Sequence, residues 1–215
     1  ENACTKAEEI LKNKKSNSSR DKDNNPHSLD GALKRQPDSN LVIISVPGQF
    51  AAREAKKALN KGLNVMLFSD NVPYEDEIEL KELAKEKGLL MMGPDCGTAI
   101  INQAPLAFSN VVDKGPVGIV AASGTGAQAI STLVNREGVG LSQVIGTGGR
   151  DLKSKVKGRE MIKDLKALNK DDNTEVIVLV SKPPAKEISK KIIDEVKKID
   201  KQVVMNFLGC EHTIE

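Results

Sequence analysis

Seven short apolar runs, separated by stretches of helical spacing and by glycine-rich loops, limit the folds open to this chain. The runs are residues 41–46 (LVIISV), 65–68 (VMLF), 89–92 (LLMM), 117–121 (VGIVA), 141–145, 175–180 and 202–207. Runs this short and continuous, without polar alternation, read as strands buried on both faces, as in parallel sheets. Between them, residues 49–61, 75–87, 124–136, 159–169 and 185–199 show helical spacing, and Gly62 and Gly88 stand where a left-handed C-terminal residue closes a helix. Strand, helix and strand in this rhythm form right-handed crossovers. The expected class is α/β, with two consecutive three-layer parallel-sheet units at 40–114 and 115–215. Residues 1–39 precede them as a truncated helix (5–15), a polar linker (16–28) and a short helix carrying Leu29, Ala32 and Leu33. The first unit reads as incomplete, because helix 5–15 has no strand of its own. A start on Glu-Asn-Ala and an end just after a strand suggest a piece of a longer protein.

Charge and composition narrow the function. The 32 basic and 30 acidic side chains leave a net charge of +2, too balanced for a default nucleic-acid or anionic-membrane partner. No apolar run nears the roughly 20 residues of a membrane helix. Aromatic residues are 2% of the chain, too few for base-stacking platforms. Cys4, Cys96 and Cys210 are dispersed and odd in number, and His27 and His212 are the only histidines. That pattern supplies no disulfide framework and no metal site, and it fits a reducing, cytoplasmic setting.

In open parallel sheets, ligands sit at the carboxyl ends of the strands. Four loops there carry candidate residues. The first is Pro47-Gly48, with Asp70-Asn71 after the next strand. The second holds Asp95, Cys96, Gly97 and Thr98; no basic residue neighbours Cys96, so it reads as a structural or ligand-lining thiol. The third is Ser123-Gly124-Thr125-Gly126, where a strand runs into a helix: Ser123 suits an N-cap, and the glycines allow an oxyanion near backbone N–H groups. Gly124-x-Gly126-x-x-Ala129 loosely fits a dinucleotide fingerprint, but the acidic residue expected after the next strand is missing, and no Gly-Lys-Ser/Thr follows for a nucleotide P-loop. The fourth holds Thr147, Gly148, Gly149 and Arg150, with Lys182 one strand away as a second cation. Plainer readings stand beside these: turns, a helix cap, a surface Arg150–Asp151 pair. The candidate catalytic residues are Ser123, Thr125, Arg150 and Lys182. Ser123 to Gly126 with Thr147 to Gly149 are the candidate phosphate or anion site, and both glycines, 124 and 126, are expected to clear space for the ion.

The strings SVPGQFAAREAKKAL (45–59), NVMLFSDNVPYEDEI (64–78), KGLLMMGPDCGTAIIN (87–102), IVAASGTGAQ (119–128), IGTGGRDL (145–152), VSKPPA (180–185) and NFLG (206–209) resemble the FdrA family, itself related to the α subunit of succinyl-CoA synthetase. The resemblance implies a partial Rossmann-like, CoA-binding-type unit at 40–114 and a flavodoxin-like ligase-type domain at 115–215. It implies that the helix opened by Ser123–Thr125 stabilises a phosphorylated intermediate. The ligase α subunits carry a Glu where this chain has Ser181-Lys182, and a Gly-His motif shortly beyond Leu208-Gly209. Here His212 lies in Cys210-Glu211-His212-Thr213, so no phosphohistidine is expected on it. The implied activity is carbamoyl or acyl-phosphate transfer, oxalurate and phosphate giving oxamate and carbamoyl phosphate. The alternatives are an NDP-forming acyl-CoA ligase α subunit and a non-catalytic binding or assembly subunit. Phosphate is the implied ligand, with CoA admitted by the resemblance, and the implied partners are a small anionic substrate and other subunits of one enzyme.

Overall fold

The computed structural model describes residues 4–6, 8, 9 and 26–209. The chain divides into Glu1–Ser39 and Asn40–Glu215. In the first, residues 4–6, 8 and 9 are helical, and the linker expected at 16–28 lies mostly outside the described residues. Helix α1 (Leu29–Arg35) starts at Ser28, whose Oγ accepts from Gly31 N at 3.1 Å.

The second compact unit holds two sheets. In one, β1 (Leu41–Ile44), β2 (Asn64–Leu67) and β3 (Met91–Met92) run parallel in that order. Helices α2 (Gly48–Asn60) and α3 (Tyr74–Lys87) make the crossovers. α2 buries Ala51, Ala55, Ala58 and Leu59, spaced one or two turns apart, so one narrow stripe meets the sheet. α3 closes on Gly88, whose φ of 68° is the left-handed value expected of it. β1 is an edge strand, and Ile43 on it is 48% exposed.

The other sheet has the order β5-β4-β7-β6-β8-β9, from β4 (Thr98–Ile101), β5 (Ala104–Ala107), β6 (Lys114–Ala122), β7 (Leu141–Gly146), β8 (Val176–Ser181) and β9 (Gln202–Phe207). Strands β6 to β9 are parallel, whereas β4 is antiparallel to both β5 and β7. The sheet is therefore mixed, not purely parallel as expected. Residues 98–107, grouped above with the first unit, hydrogen-bond into the second sheet instead. Alternation along β6 sets up the three layers. Ile119 and Ala121 face α4 (Gly124–Arg136) through Ala127, while Val120 and Ala122 face α5 (Arg159–Lys170) and α6 (Lys186–Val196) through Met161, Leu165, Leu168, Ile188 and Ile192. Each fully buried Leu, Ile or Met contributes about 1.5–3 kcal/mol. The second core also takes in Met66, Met92 and Cys96, so it continues from one sheet to the other. No helix among the described residues is long and apolar enough to cross a membrane.

Candidate functional site

The carboxyl ends of both sheets open onto one cavity of about 550 Å³. From the first sheet come Ser45, Val46 and Pro47 after β1, and Phe68, Ser69 and Asp70 after β2. Asp95 and Gly97 lie between the sheets, and the β4–β5 hairpin supplies Thr98 and Phe108. From the second sheet come Ala122 to Thr125, Gln128, Gly149 and Lys182. Ten of the seventeen candidate residues line this space, namely Pro47, Asp70, Asp95, Gly97, Thr98, Ser123, Gly124, Thr125, Gly149 and Lys182.

The floor is the start of α4. Ser123 is extended (φ −152°, ψ 109°), and its Oγ accepts from Gly126 N at 3.3 Å. Ala127 N donates to Ser123 O at 2.9 Å. The N–H groups of Gly124 and Thr125 find no acceptor among the described residues and lie at the positive end of a 13-residue helix. A Cβ on Gly124 would meet nothing closer than Thr98 Oγ1 at 3.7 Å, so this glycine does border open space. Gly126 serves another purpose. A Cβ there would lie 2.8 Å from Val180 Cγ1 and 3.1 Å from Ser123 Oγ, so its bareness lets α4 pack on β8 and leaves room for the cap. The expectation that both glycines clear space for an ion holds geometrically for Gly124 alone.

Lys182 follows β8, is exposed, and forms no ion pair among the described residues. Arg150 is placed differently from the expectation. Its Nη2 donates to Val72 O at 2.7 Å and stands 2.8 Å from Glu77 Oε2, and its guanidinium lies 4.4 Å over the Tyr74 ring. It is held against α3 and is absent from the cavity wall, so it does not serve as the anion's fork. The Arg150–Asp151 surface pair is absent as well, because Asp151 is fully buried.

Asp151 belongs to a buried knot behind the cavity. Lys81 Nζ donates to Glu77 Oε1 (2.9 Å), Asp151 Oδ1 (2.9 Å) and Thr147 O (3.0 Å), with its side chain wholly buried. Burial works against the Lys81 charge, but the carboxylates of Asp151, Glu77 and Glu160 outweigh it and raise its pKa. Asp151 also receives Glu160 N (3.2 Å) and Met161 N (2.9 Å), which caps α5 from outside the helix. The knot ties α3 of the first sheet to the loop after β7 of the second.

The remaining candidates surround the cavity without lining it. Gly48 packs under the carbonyls of Asp70 and Asn71, too close for any Cβ. Asn71 takes a positive φ of 52° beside it. Thr147 is buried, with its N–H on Ala121 O at 2.9 Å. Gly148 (φ +87°) borders a small recess beneath the floor, together with Cys96. Burial pushes the Cys96 thiol up to about 12, so it is no nucleophile at neutral pH. Cys210 and His212 lie outside the described residues.

Sequence reasoning missed Ser45, Phe68, Phe108 and Gln128 in this wall. Ser69 Oγ accepts Val46 N at 3.0 Å and joins the first two loops. Gln128 Nε2 donates to Thr98 Oγ1 and Phe108 O, each at 3.1 Å, and holds the hairpin over α4. Phe108 packs edge-on to Phe68 at 5.3 Å. A serine ending each of two strands was a readable signal; the hairpin's contribution had none.

Residues 112–209 match the family model for a CoA binding domain. The match falls on the second sheet, whereas the resemblance placed a CoA-binding-type unit at 40–114. The chain is 50% identical over 186 residues to "Uncharacterized protein YahF" of Escherichia coli (strain K12), covering 86% of this chain and 36% of that protein. It is 29% identical over 173 residues to succinate–CoA ligase [ADP-forming] subunit alpha 2 of Archaeoglobus fulgidus, covering 76% of this chain and 58% of that one. Among solved structures, ATP citrate lyase from Methanothrix soehngenii, in complex with citrate and coenzyme A, superposes with a TM-score of 0.70 at 16% identity, over 85% of this chain and 31% of that one. The chain thus spans about a third to three-fifths of these relatives' length. Its fold is Rossmann-like α/β, and it is related to the α subunits of succinate–CoA ligases, with residues 112–209 matching the model for a CoA binding domain.

Proposed function

We propose that the cavity holds the phosphate or carboxylate of a small acyl or carbamoyl substrate, and that the protein acts in group transfer through an acyl-phosphate-type compound. One observation carries this reading: the N–H groups of Gly124 and Thr125 and the ammonium of Lys182, all without a partner among the described residues, share a cavity. Preorganised donors of this kind favour an oxyanion at little reorganisation cost. In the carbamoyl form, a phosphate oxygen attacks the ureido carbonyl carbon of oxalurate. The tetrahedral oxyanion then collapses, the C–N bond breaks, and oxamate nitrogen takes a proton as carbamoyl phosphate leaves. Ser123 and Thr125 orient the anion at the helix start, and Lys182 offsets its charge.

A second reading is a subunit of an acyl-CoA ligase, favoured by the match of residues 112–209 and by relatives named as ligase α subunits. Both readings place the chain beside other subunits, with CoA as the acceptor in the second.

Calorimetric titration of inorganic phosphate into the full chain tests the shared site. Lys182→Ala is expected to weaken binding about tenfold, as loss of one charge-assisted contact should, while Arg150→Ala leaves affinity within about twofold. Equal loss in both variants, or none in either, overturns the placement. Product analysis of the intact protein with its partner subunits separates the readings: carbamoyl phosphate from oxalurate supports the first, acyl-CoA from acid, nucleotide and CoA the second.

A further inference from the structure

A second recess, of about 380 Å³, lies among the helices and shares no residue with the cavity. α5 supplies a row, Arg159, Ile162, Lys163 and Lys166, spaced three and four residues apart and so on one face of the helix. α3 brings Lys85 and Glu82. α6 brings Lys191 and Glu195, and Lys157 stands in the loop before α5. Six cations thus face two acids, a net charge of +4 in one recess of a chain whose whole net charge is +2.

An exposed lysine by itself is solvated and asks for no ligand. Convergence is a different matter. Arg159 with Lys163, and Lys163 with Lys166, are like-charge neighbours on one helix, an arrangement that works against helix stability. Neighbouring acids offset part of it. Arg159 Nε donates to Glu82, Lys163 pairs with Glu160, and Lys166 Nζ stands 2.9 Å from Glu195 Oε2. Those acids are thereby engaged, and Glu195 holds Lys198 as well. Lys85 reaches Glu82 only at 4.0 Å, and Lys191 Nζ donates to a neutral acceptor, Lys157 O, at 3.1 Å. The charges of Lys85, Lys157 and Lys191 are therefore in excess. Arg159 and Lys163 are set into the wall, with side chains 24% and 22% exposed. A concave wall of one dominant sign focuses its field on an entering counter-ion.

We infer that this recess binds a compact polyanion of two or more linked phosphates. From Arg159 to Lys166 the row on α5 spans about 10 Å, more than one tetrahedral anion touches at once. Linked phosphates run along it, and Lys85 and Lys191 close on them from the flanking helices. No aromatic side chain lines the recess, so a nucleobase has nothing to stack on. Charge would also hold an acidic peptide, but a concave space of small-ligand size encloses a compact ion better than a chain that must run on past its ends. A ligand here contacts α3 of the first sheet and α5 and α6 of the second, so its binding is expected to raise Tm as its concentration rises.

Calorimetric titration of the full chain with tripolyphosphate and with inorganic phosphate, at about 0.15 M salt to screen long-range attraction, tests the site. Tripolyphosphate is expected to bind about tenfold or more tightly than inorganic phosphate, as one added contact to a charged group would give. Lys85→Glu and Lys157→Asn are each expected to weaken tripolyphosphate binding about tenfold. Asn tolerates the φ of 67° that Lys157 holds, so that variant keeps the loop. Lys57→Glu makes the same charge change on α2, outside the recess, and Lys182→Ala removes the cation of the cavity. Both are expected to leave tripolyphosphate affinity within about twofold. Equal loss in Lys57→Glu would reduce the effect to net charge, and equal loss in Lys182→Ala would move the ligand into the cavity. A polyglutamate peptide binding more tightly than tripolyphosphate would make the recess a docking site for an acidic segment. Any of these, or equal affinity for single and linked phosphates, overturns this proposal and leaves the acyl-phosphate reading of the cavity untouched.

Discussion

Ser123 and Arg150 are 27 positions apart and were read with the same reasoning, yet only one stands where expected. A cap is local. The hydroxyl of Ser123 reaches N–H groups three residues on, and no distant residue has a say. A guanidinium on a long side chain is free to choose its partner, and Arg150 found Glu77 and Tyr74 on α3 and Val72 just before it, more than 70 residues earlier. Asp164 shows the same dependence in a carboxylate. It is fully buried on α5, neither oxygen has a hydrogen-bond partner among the described residues, and burial, with Glu160 and Asp151 nearby, lifts its pKa well above the usual range despite Lys163 and Lys81. Its folded pKa is above its unfolded one, so its destabilising effect is absent below the unfolded value near 3.8 and grows as pH rises toward the folded value. Asp164→Asn is therefore expected to raise Tm at pH 7 by on the order of 5 °C, with the gain fading as pH approaches 4. Thermal unfolding of both proteins across pH checks this; a gain independent of pH would assign the effect to packing.

Among the elements, parallel strands and their helices were legible because apolar runs, helical spacing and closing glycines all agree. The β4–β5 hairpin was not. Its strands are four residues each, Pro105 interrupts the second, and its turn is Asn102-Gln103 where Asn-Gly would be the usual signal. Both turn residues nonetheless adopt positive φ, 48° and 68°, and Pro105 is tolerated because β5 is an edge strand. The two glycines at the start of α4 give a paired prediction at this scale. Gly126→Ala would press a methyl into Val180 and the cap, costing about 1–3 kcal/mol, whereas Gly124→Ala is expected to hold stability within about 0.5 kcal/mol and to weaken phosphate binding. Denaturant unfolding and calorimetry on both variants read these out, and equal stability losses would show that the two positions are not distinguished by packing.

For residues 40–209 together, the cavity exists because two sheets present their carboxyl ends to each other, and the Lys81 knot is part of what keeps them there. Lys81→Met leaves Asp151 buried without its cation and Glu77 with Arg150 alone, for which about 3–5 kcal/mol of lost stability is expected. Adding Glu77→Gln to that variant should recover part of the loss, and chemical denaturation of the single and double variants measures it. Phosphate affinity should fall in the single variant along with stability, since Thr147 O and the loop to Gly149 are held by the same ammonium.

By itself the sequence determined the α/β class, the parallel strands, the helix caps and the loops from which a site could be drawn, because each depends on side-chain periodicity or on hydrogen bonds a few residues long. Only the tertiary structure decided which loops share a cavity, that the hairpin joins the second sheet, that Arg150 turns to α3, and that Asp70, Asp95 and Lys182 line one space. Those outcomes follow from contacts between residues 30 to 80 positions apart, where a charge settles wherever the packed neighbours leave it a partner.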